Sequence, residues 1–419
     1  MPFSHLHLDR RSGLPLGRQL ADLLRERIAS GSLPPGTRLP ASRELAERLG
    51  VHRGTIQKAY EALTAEGILK GHVGRGTFVD RGLKAPPGPA AASPGTVESR
   101  RTSEPPFAFQ SREVEDPTWD RIGRWAAAPG IISLAGGLPD TRLFPTGPFR
   151  RCLDAVLDEE GAGLLQYGAS RGYPPFLQFL AGHLKRRGLK VTPQDLLVVS
   201  GSQQGLDLIG RALIAPGDPV VVEDPTYSGA LALFRILRAR LLPVPLDEEG
   251  LDVDRLATLV ARERPKLVYT IPTFHNPTGQ TLSMSRRRRL LEICAAAAIP
   301  VVEDDSDGEL RFEGVEVPPL AASAGAGRVI YMGTFSKLFF PGLRLGWVAA
   351  PPAVLKRLET LKRITDLHTA PLLQAAMARF AAGGFRDGLA DAVLAKYRSR
   401  RDAMMEALAQ HMPEGVRWT

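Results

Sequence analysis

Apolar residues recur at Leu16, Leu20, Leu23, Leu24 and Ile28, the three-and-four spacing of one helical face, until Gly31 and the Pro34-Pro35-Gly36 turn break the pattern. A second, short helix is predicted from Ser42, read as its N-cap, to Leu49, with Gly50 just past its end. A third carries Ile56, Tyr60 and Leu63 on one side. Two strand-like pieces follow at residues 68–70 and 77–79, joined by the glycine-rich connection Gly71-His72-Val73-Gly74-Arg75-Gly76. Three short helices followed by such a hairpin predict a helix-turn-helix with a wing, residues 1–80.

Periodicity then stops. Residues 81–116 are Pro, Ala, Gly, Ser and charge, including Pro86-Pro87-Gly88-Pro89, and read as a linker. From residue 117 to 419, short unbroken apolar runs alternate with helical patterns, at 196–199, 220–223, 267–270, 301–303, 329–332 and 345–349. Runs that are apolar throughout, rather than alternating, predict strands buried on both faces: an α/β domain with a mainly parallel sheet between helices. The chain ends at Thr419 just as a strand-like segment begins after Pro413-Glu414-Gly415, so this second domain is expected to be incomplete.

Charge sharpens the division. The net charge is +9, and residues 1–85 hold 14 Lys/Arg against 8 Asp/Glu, two thirds of the excess in a fifth of the length. A locally basic module suits a polyanion such as double-stranded DNA, whose neutralised phosphates release counterions. No apolar run approaches the roughly 18 residues of a membrane span, and the N-terminus lacks the layout of a signal peptide, so a cytoplasmic protein without a membrane partner is expected. Cys152 and Cys294, far apart in different helical patterns, read as small buried residues rather than a disulfide or a metal site. The run Arg286-Arg287-Arg288-Arg289 opens a helical pattern and reads as a solvated helix face.

The order Pro-Gly-x-Arg-Leu-Pro-x-Ser-Arg-Glu-Leu-Ala from Pro35, then Leu-Gly-Val-x-Arg-x-Thr from Leu49, then Gly-x-Gly-Thr-Phe-Val from Gly74, resembles the winged helix of GntR-type transcription regulators. The resemblance implies that Arg43, Arg53, Thr55 and Gln57 face DNA, with Gly74 and Arg75 reaching from the wing. Spacing agrees for two of them. Arg53 and Gln57 lie one turn apart, and arginine paired with guanine is the commonest base readout. Arg43, at the start of the second helix, is better placed for a phosphate. His52 and Gly54 stand where a serine and an asparagine are usual, so the operator sequence does not transfer.

Five segments of the second domain point to one chemistry. Ser200-Gly201-Ser202-Gln203-Gln204-Gly205 follows a strand and opens a helix, where free amides and the helix dipole favour a phosphate, with Ser202 and Gln203 as ligands. Glu223-Asp224-Pro225-Thr226-Tyr227 offers an aromatic face at a strand end. His275-Asn276-Pro277-Thr278-Gly279 offers an amide for a ring hydroxyl. In Val301-Val302-Glu303-Asp304-Asp305, a strand-end carboxylate can hold a pyridine nitrogen protonated. Thr334-Phe335-Ser336-Lys337 supplies an amine, and Arg344, beside Thr334 and Ser336, a phosphate clamp.

Together, residues 136–346 resemble the fold type I aminotransferases, especially the aminoadipate and kynurenine aminotransferase branch, and the whole chain resembles a MocR-type regulator of the GntR superfamily. The resemblance implies pyridoxal 5'-phosphate as cofactor, Lys337 as the lysine bonded to it, Asp304 on its ring nitrogen, Asn276 on its ring oxygen and Tyr227 against the ring. It also implies a homodimer, with Tyr167 reaching the phosphate of the partner subunit, and Gly137 beside a substrate carboxylate.

Two departures bear on function. The tyrosine that bonds the ring oxygen in these families would fall at Asp307 in the aminotransferase pattern and at Ser306 in the MocR-type pattern. An inward Asp307 would set a carboxylate near an anionic ring oxygen; an outward one would meet solvent. The arginine that holds a substrate carboxylate in these families lies in the part of the small domain beyond these 419 residues. The leading expectation is therefore a regulator whose aminotransferase-like domain senses the cofactor, an amino acid or an amine. A working aminotransferase with an accessory DNA-binding domain is the alternative, and a truncated product without function a third reading.

Overall fold

The computed structural model describes residues 15–29, 33, 35–72, 76–80, 124–125, 128, 130–134, 137–323 and 328–418. Gly74 and Arg75, and the linker expected at 81–116, lie outside them. The chain divides into two compact units, Met1–Ser103 and Glu104–Thr419.

In the first unit, α1 (Leu16–Ala29), α2 (Ser42–Leu49) and α3 (Arg53–Ala65) are followed by the antiparallel pair β1 (Leu69–His72) and β2 (Gly76–Val79). Leu20 and Leu24 of α1, Leu45 of α2 and Ile56, Tyr60 and Leu63 of α3 close on one small core with Leu69 and Val79. Ser42 is not the N-cap of α2. Ala41 occupies that place without a side-chain bond, and Gly50 ends the helix in the left-handed region at φ 60°. The cap of α3 is His52, whose Nδ1 accepts from the Gly54 amide at 3.1 Å.

Among the described residues, the first long helices of the second unit are α4 (Thr146–Glu160) and α5 (Pro174–Arg186). There follow β3 (Leu196–Val199), α6 (Ser202–Leu213), β4 (Pro219–Asp224), α7 (Ser228–Ile236), β5 (Arg240–Asp247), β6 (Gly250–Leu251), α8 (Val253–Glu263), β7 (Leu267–Thr270), α9 (Met284–Ala296) and β8 (Val301–Asp304). The remainder is α10 (Leu320–Ser323), β9 (Val329–Thr334), β10 (Gly346–Ala349), α11 (Pro352–Thr365), α12 (Pro371–Ala382) and α13 (Phe385–His411).

Among the described residues these strands form one eight-stranded sheet in the order β3-β10-β9-β8-β7-β4-β5-β6. The ladders from β9 through β8, β7 and β4 to β5 are parallel; β10 runs antiparallel to both its neighbours, and β6 antiparallel to β5. Strand residues alternate between two cores, as a pleat with both faces covered requires. Leu197 and Val199 pack with α6 residues such as Leu206 and Ile209, whereas Leu196 and Val198 pack with α5 and α12 residues such as Phe176 and Met377. The carboxyl ends of β4, β7 and β8 therefore open on one rim, where open α/β sheets bind ligands.

The arginine run is not a solvated face throughout. Arg287 is buried and donates to the carbonyls of Leu282, Pro318 and Pro272 and to Thr273 Oγ1, while Arg286 pairs with Asp247 at 2.6 Å. Four acceptors satisfy the Arg287 guanidinium where a carboxylate would otherwise be needed. Both cysteines are buried and free.

Candidate functional site

Each segment singled out from the sequence arrives at the rim by a local cause. The turn between β3 and α6 passes through Gly201 at φ 84° and ψ 161°, and a Cβ there would lie 2.2 Å from Arg344 Nη2. Glycine is needed twice over, for the backbone angle and for the guanidinium lying against it. Arg344 itself sits in the left-handed region at φ 53°, which turns its side chain back toward that turn, and its Nη2 reaches the Ser200 carbonyl at 3.4 Å. Ser202 and Gln203 open α6 with the orphan amides of a helix N-terminus. Thr334 Oγ1 bonds the Leu345 carbonyl at 3.1 Å and meets Ser336 Oγ at 2.9 Å. Amides, hydroxyls and a guanidinium thus surround one place suited to a phosphate.

Next to it is a cavity of about 850 Å³ lined by Gly137, Tyr227, Asn276, Asp307, Lys337 and Tyr397, among others. Lys337 Nζ donates to the Gly137 carbonyl at 3.2 Å; Gly137 has φ 51°, and a Cβ there would stand 3.6 Å from that nitrogen. Tyr227 Oη donates to Gln203 Oε1 at 3.2 Å, tying the aromatic wall to the start of α6. Burial raises the Tyr227 phenol, as does the charge of Asp304, against the pull of Arg344. Asn276 is exposed on the cavity wall.

Asp304 is buried at the end of β8, with Oδ2 accepting from Tyr269 Oη at 2.9 Å and Oδ1 from Ser306 Oγ at 2.6 Å. Burial raises its carboxyl above the usual range, and the two hydroxyl bonds only partly offset this. A cationic ring nitrogen is the partner such a carboxylate lacks. The donor set therefore fits pyridoxal 5'-phosphate: a cradle for its phosphate, a buried carboxylate for its nitrogen, an aromatic wall and an amine.

Asp307 turns inward. It shares the cavity with Lys337, and burial raises its carboxyl to about 6 although Lys337 pulls it down. Tyr167, by contrast, is 77% exposed, its ring edge-on to His368 at 5.8 Å. Sequence reasoning misses Tyr269 and Tyr397. Tyr269 lies within a recognisable strand, so its neighbourhood can be inferred; Tyr397 lies on a long helix whose sequence carries no sign of the cavity.

In the first unit, Arg43, Arg53 and Gln57 are exposed, and Arg53 Nε reaches Ser42 Oγ at 3.3 Å, linking α3 to the start of α2. Gln57 lines a groove with Arg38, Ser42 and Gly76 at the base of the wing. Thr55 is half-buried and lines a different groove, beside Gly17 of α1.

The family profile described as "Aminotransferase class I and II" matches residues 131–419, and that described as "Bacterial regulatory proteins, gntR family" matches residues 16–79. Aromatic-amino-acid aminotransferase 1 of Thermococcus litoralis is 43% identical over 295 residues, 69% of this chain and 71% of that protein. The HTH-type transcriptional regulator TauR of Rhodobacter capsulatus is 33% identical over 396 residues, 94% of this chain and 79% of its own length. Among solved structures, the α-aminoadipate aminotransferase LysN of Thermus thermophilus, complexed with N-(5'-phosphopyridoxyl)-L-leucine, matches with a TM-score of 0.69 at 38% identity, covering 75% of this chain and 78% of that one.

Proposed function

The chain belongs to the MocR-type GntR regulators, in which a GntR DNA-binding domain precedes an aminotransferase class I and II domain that takes pyridoxal phosphate, and from this we propose how its residues divide the work. Residues 1–80 bind an operator, residues 81–116 link, and residues 117–419 sense. Arg53 and Gln57 read base edges, Arg43 holds a phosphate, and Thr55, Gly74 and Arg75 complete the DNA face. The protein acts on DNA and therefore in the cytoplasm.

In the sensing domain, Ser202, Gln203, Thr334, Ser336 and Arg344 hold the cofactor phosphate, Asp304 its ring nitrogen, Asn276 its ring oxygen and Tyr227 its ring face. When bound, the cofactor supplies an electron sink next to an amine. Lys337 provides the amine for covalent attachment, with Asp307 on the wall of the same cavity. Gly137 borders the space left for an amino acid or amine effector. Occupancy by cofactor and effector shifts the dimer and hence operator affinity. The homodimer is supported by apolar side chains left exposed, Leu134 and Leu138 on the cavity wall and Leu165 two residues before the outward Tyr167, each more than two thirds exposed; Tyr167 would reach the partner subunit's phosphate.

The observation that carries this reading is the meeting of Lys337, Asp304, Tyr227 and the Gly201–Arg344 cradle at one rim, on a chain that also carries a basic winged helix. The test is binding of the full chain to its own upstream DNA across a salt series, with and without pyridoxal phosphate. A specific complex altered by the cofactor supports it; salt-sensitive non-specific binding alone refutes it. A second reading, transamination, is favoured by the 43% identity to an aromatic aminotransferase. Single-turnover conversion of an amino acid to its keto acid would support that reading, and its absence would leave the regulator alone.

A further inference from the structure

Lys362 on α11 is fully buried, an unusual fate for a lysine, and lies outside the residues lining the cofactor cavity. Its Nζ donates to both carboxylate oxygens of Asp366 at 2.9 Å and to Gln204 Oε1 at 3.1 Å. Burial lowers the Lys362 ammonium, and the bond to Asp366 works against that.

What this pair holds is specific. Gln204 Oε1 also accepts from the Ser200 amide at 2.7 Å, and Gln204 Nε2 donates to Asp366 Oδ2 at 2.7 Å. The Ser200 hydroxyl donates to the same Asp366 oxygen at 3.2 Å. Ser200 and Gln204 are the two ends of the turn that contains Gly201, Ser202 and Gln203, and the Ser200 carbonyl receives Arg344. One ion pair, its lysine fully buried and its aspartate partly exposed, therefore fixes both ends of the phosphate-facing turn, from behind, through every polar atom that the Gln204 side chain offers.

We propose that Lys362 and Asp366 are positioning residues for the phosphate of the cofactor: they set the shape of the 200–204 turn and so the affinity for the phosphate ester rather than for the ring. This rests on the cofactor assignment above. It separates a positioning role from a merely structural one, because a general loosening of the fold weakens ring and phosphate binding alike.

The experiment titrates the full chain with pyridoxal phosphate and with pyridoxal, which lacks the phosphate, following the visible absorbance of attachment at Lys337, in wild type, Lys362→Met, Asp366→Asn and Lys362→Met/Asp366→Leu. Circular dichroism identifies which variants fold; Asp366→Asn keeps the side-chain shape, and the double variant removes both charges together. The expected result is a loss of about tenfold or more in affinity for pyridoxal phosphate, with pyridoxal unchanged. Equal losses for both compounds, or no loss in a folded variant, overturn the proposal. A wild type that binds neither compound overturns the cofactor assignment and the proposal with it, whereas a wild type that prefers the phosphate keeps the assignment standing whatever the variants do.

Discussion

Replacing Gly201 by alanine tests the phosphate cradle at its tightest point. At φ 84° and ψ 161° the backbone is in a region essentially reserved for glycine, so the substitution costs about 1–3 kcal/mol of stability before any contact is considered. The new methyl would also stand 2.2 Å from Arg344 Nη2 and 2.8 Å from its Cζ, so the guanidinium must leave its place. A charge-assisted hydrogen bond is worth about 1.5–3 kcal/mol, and losing the clamp should weaken pyridoxal phosphate binding by about 10- to 100-fold. Urea unfolding without cofactor measures the first effect, and absorbance titration the second. Arg344→Ala should weaken the cofactor by a similar factor, and adding Gly201→Ala to it should cost no further affinity, because the three atoms nearest the methyl all belong to the Arg344 guanidinium; only the backbone strain should persist. Additive losses of affinity, or unchanged cofactor binding in Gly201→Ala, would refute the cradle as described.

Other consequences are direct. Asp307 holds its proton to about pH 6 in the folded chain and releases it near 4 when unfolded. The unfolded state thus binds fewer protons between those values, and stability should fall as pH rises through them, by about 3 kcal/mol in all. Urea unfolding of cofactor-free Asp307→Asn should lack that share of the slope and be the more stable above pH 6; parallel profiles would contradict the burial argument. Arg187→Met strands the buried carboxylate of Asp305, now 2.6 Å from the guanidinium, and should cost about 3–5 kcal/mol in denaturant unfolding. On the DNA side, Arg53→Ala should cost about 1–3 kcal/mol and relax preference at one base pair, whereas Arg43→Ala should weaken all sequences alike and reduce the salt slope by about 1.

The sequence carries the winged helix legibly because its stripes are short, punctuated by glycine and closed on a single core. It also carries the central parallel strands, which are apolar from end to end. It fails where a residue's setting depends on distant chain. Pro243 and Pro245 hide β5, since proline normally argues against a strand; here they sit near the edge of the sheet, opposite Val222 and Asp224 of β4. The antiparallel course of β10 follows from the short connection after β9, which passes through Lys337 and Arg344 and cannot make a crossover. Nothing local distinguishes Lys362 or Arg287 from solvated helical cations, because the acceptors that hold them come from other segments. Ser42 reads as a cap on residue type alone, and the helix simply begins one residue earlier than that reading requires. Within the site, residue order locates Lys337, Asp304 and Arg344, whereas the inward turn of Asp307 and the arrival of Tyr397 need the fold.

The central claim is that one chain couples a cofactor pocket to a DNA-binding domain. Its most direct test compares the wild type with Lys337→Ala in binding to the chain's own upstream DNA, each with and without pyridoxal phosphate at fixed salt. A cofactor-dependent change in operator affinity in the wild type that disappears in Lys337→Ala is the predicted result; an identical response in the two proteins would contradict the account.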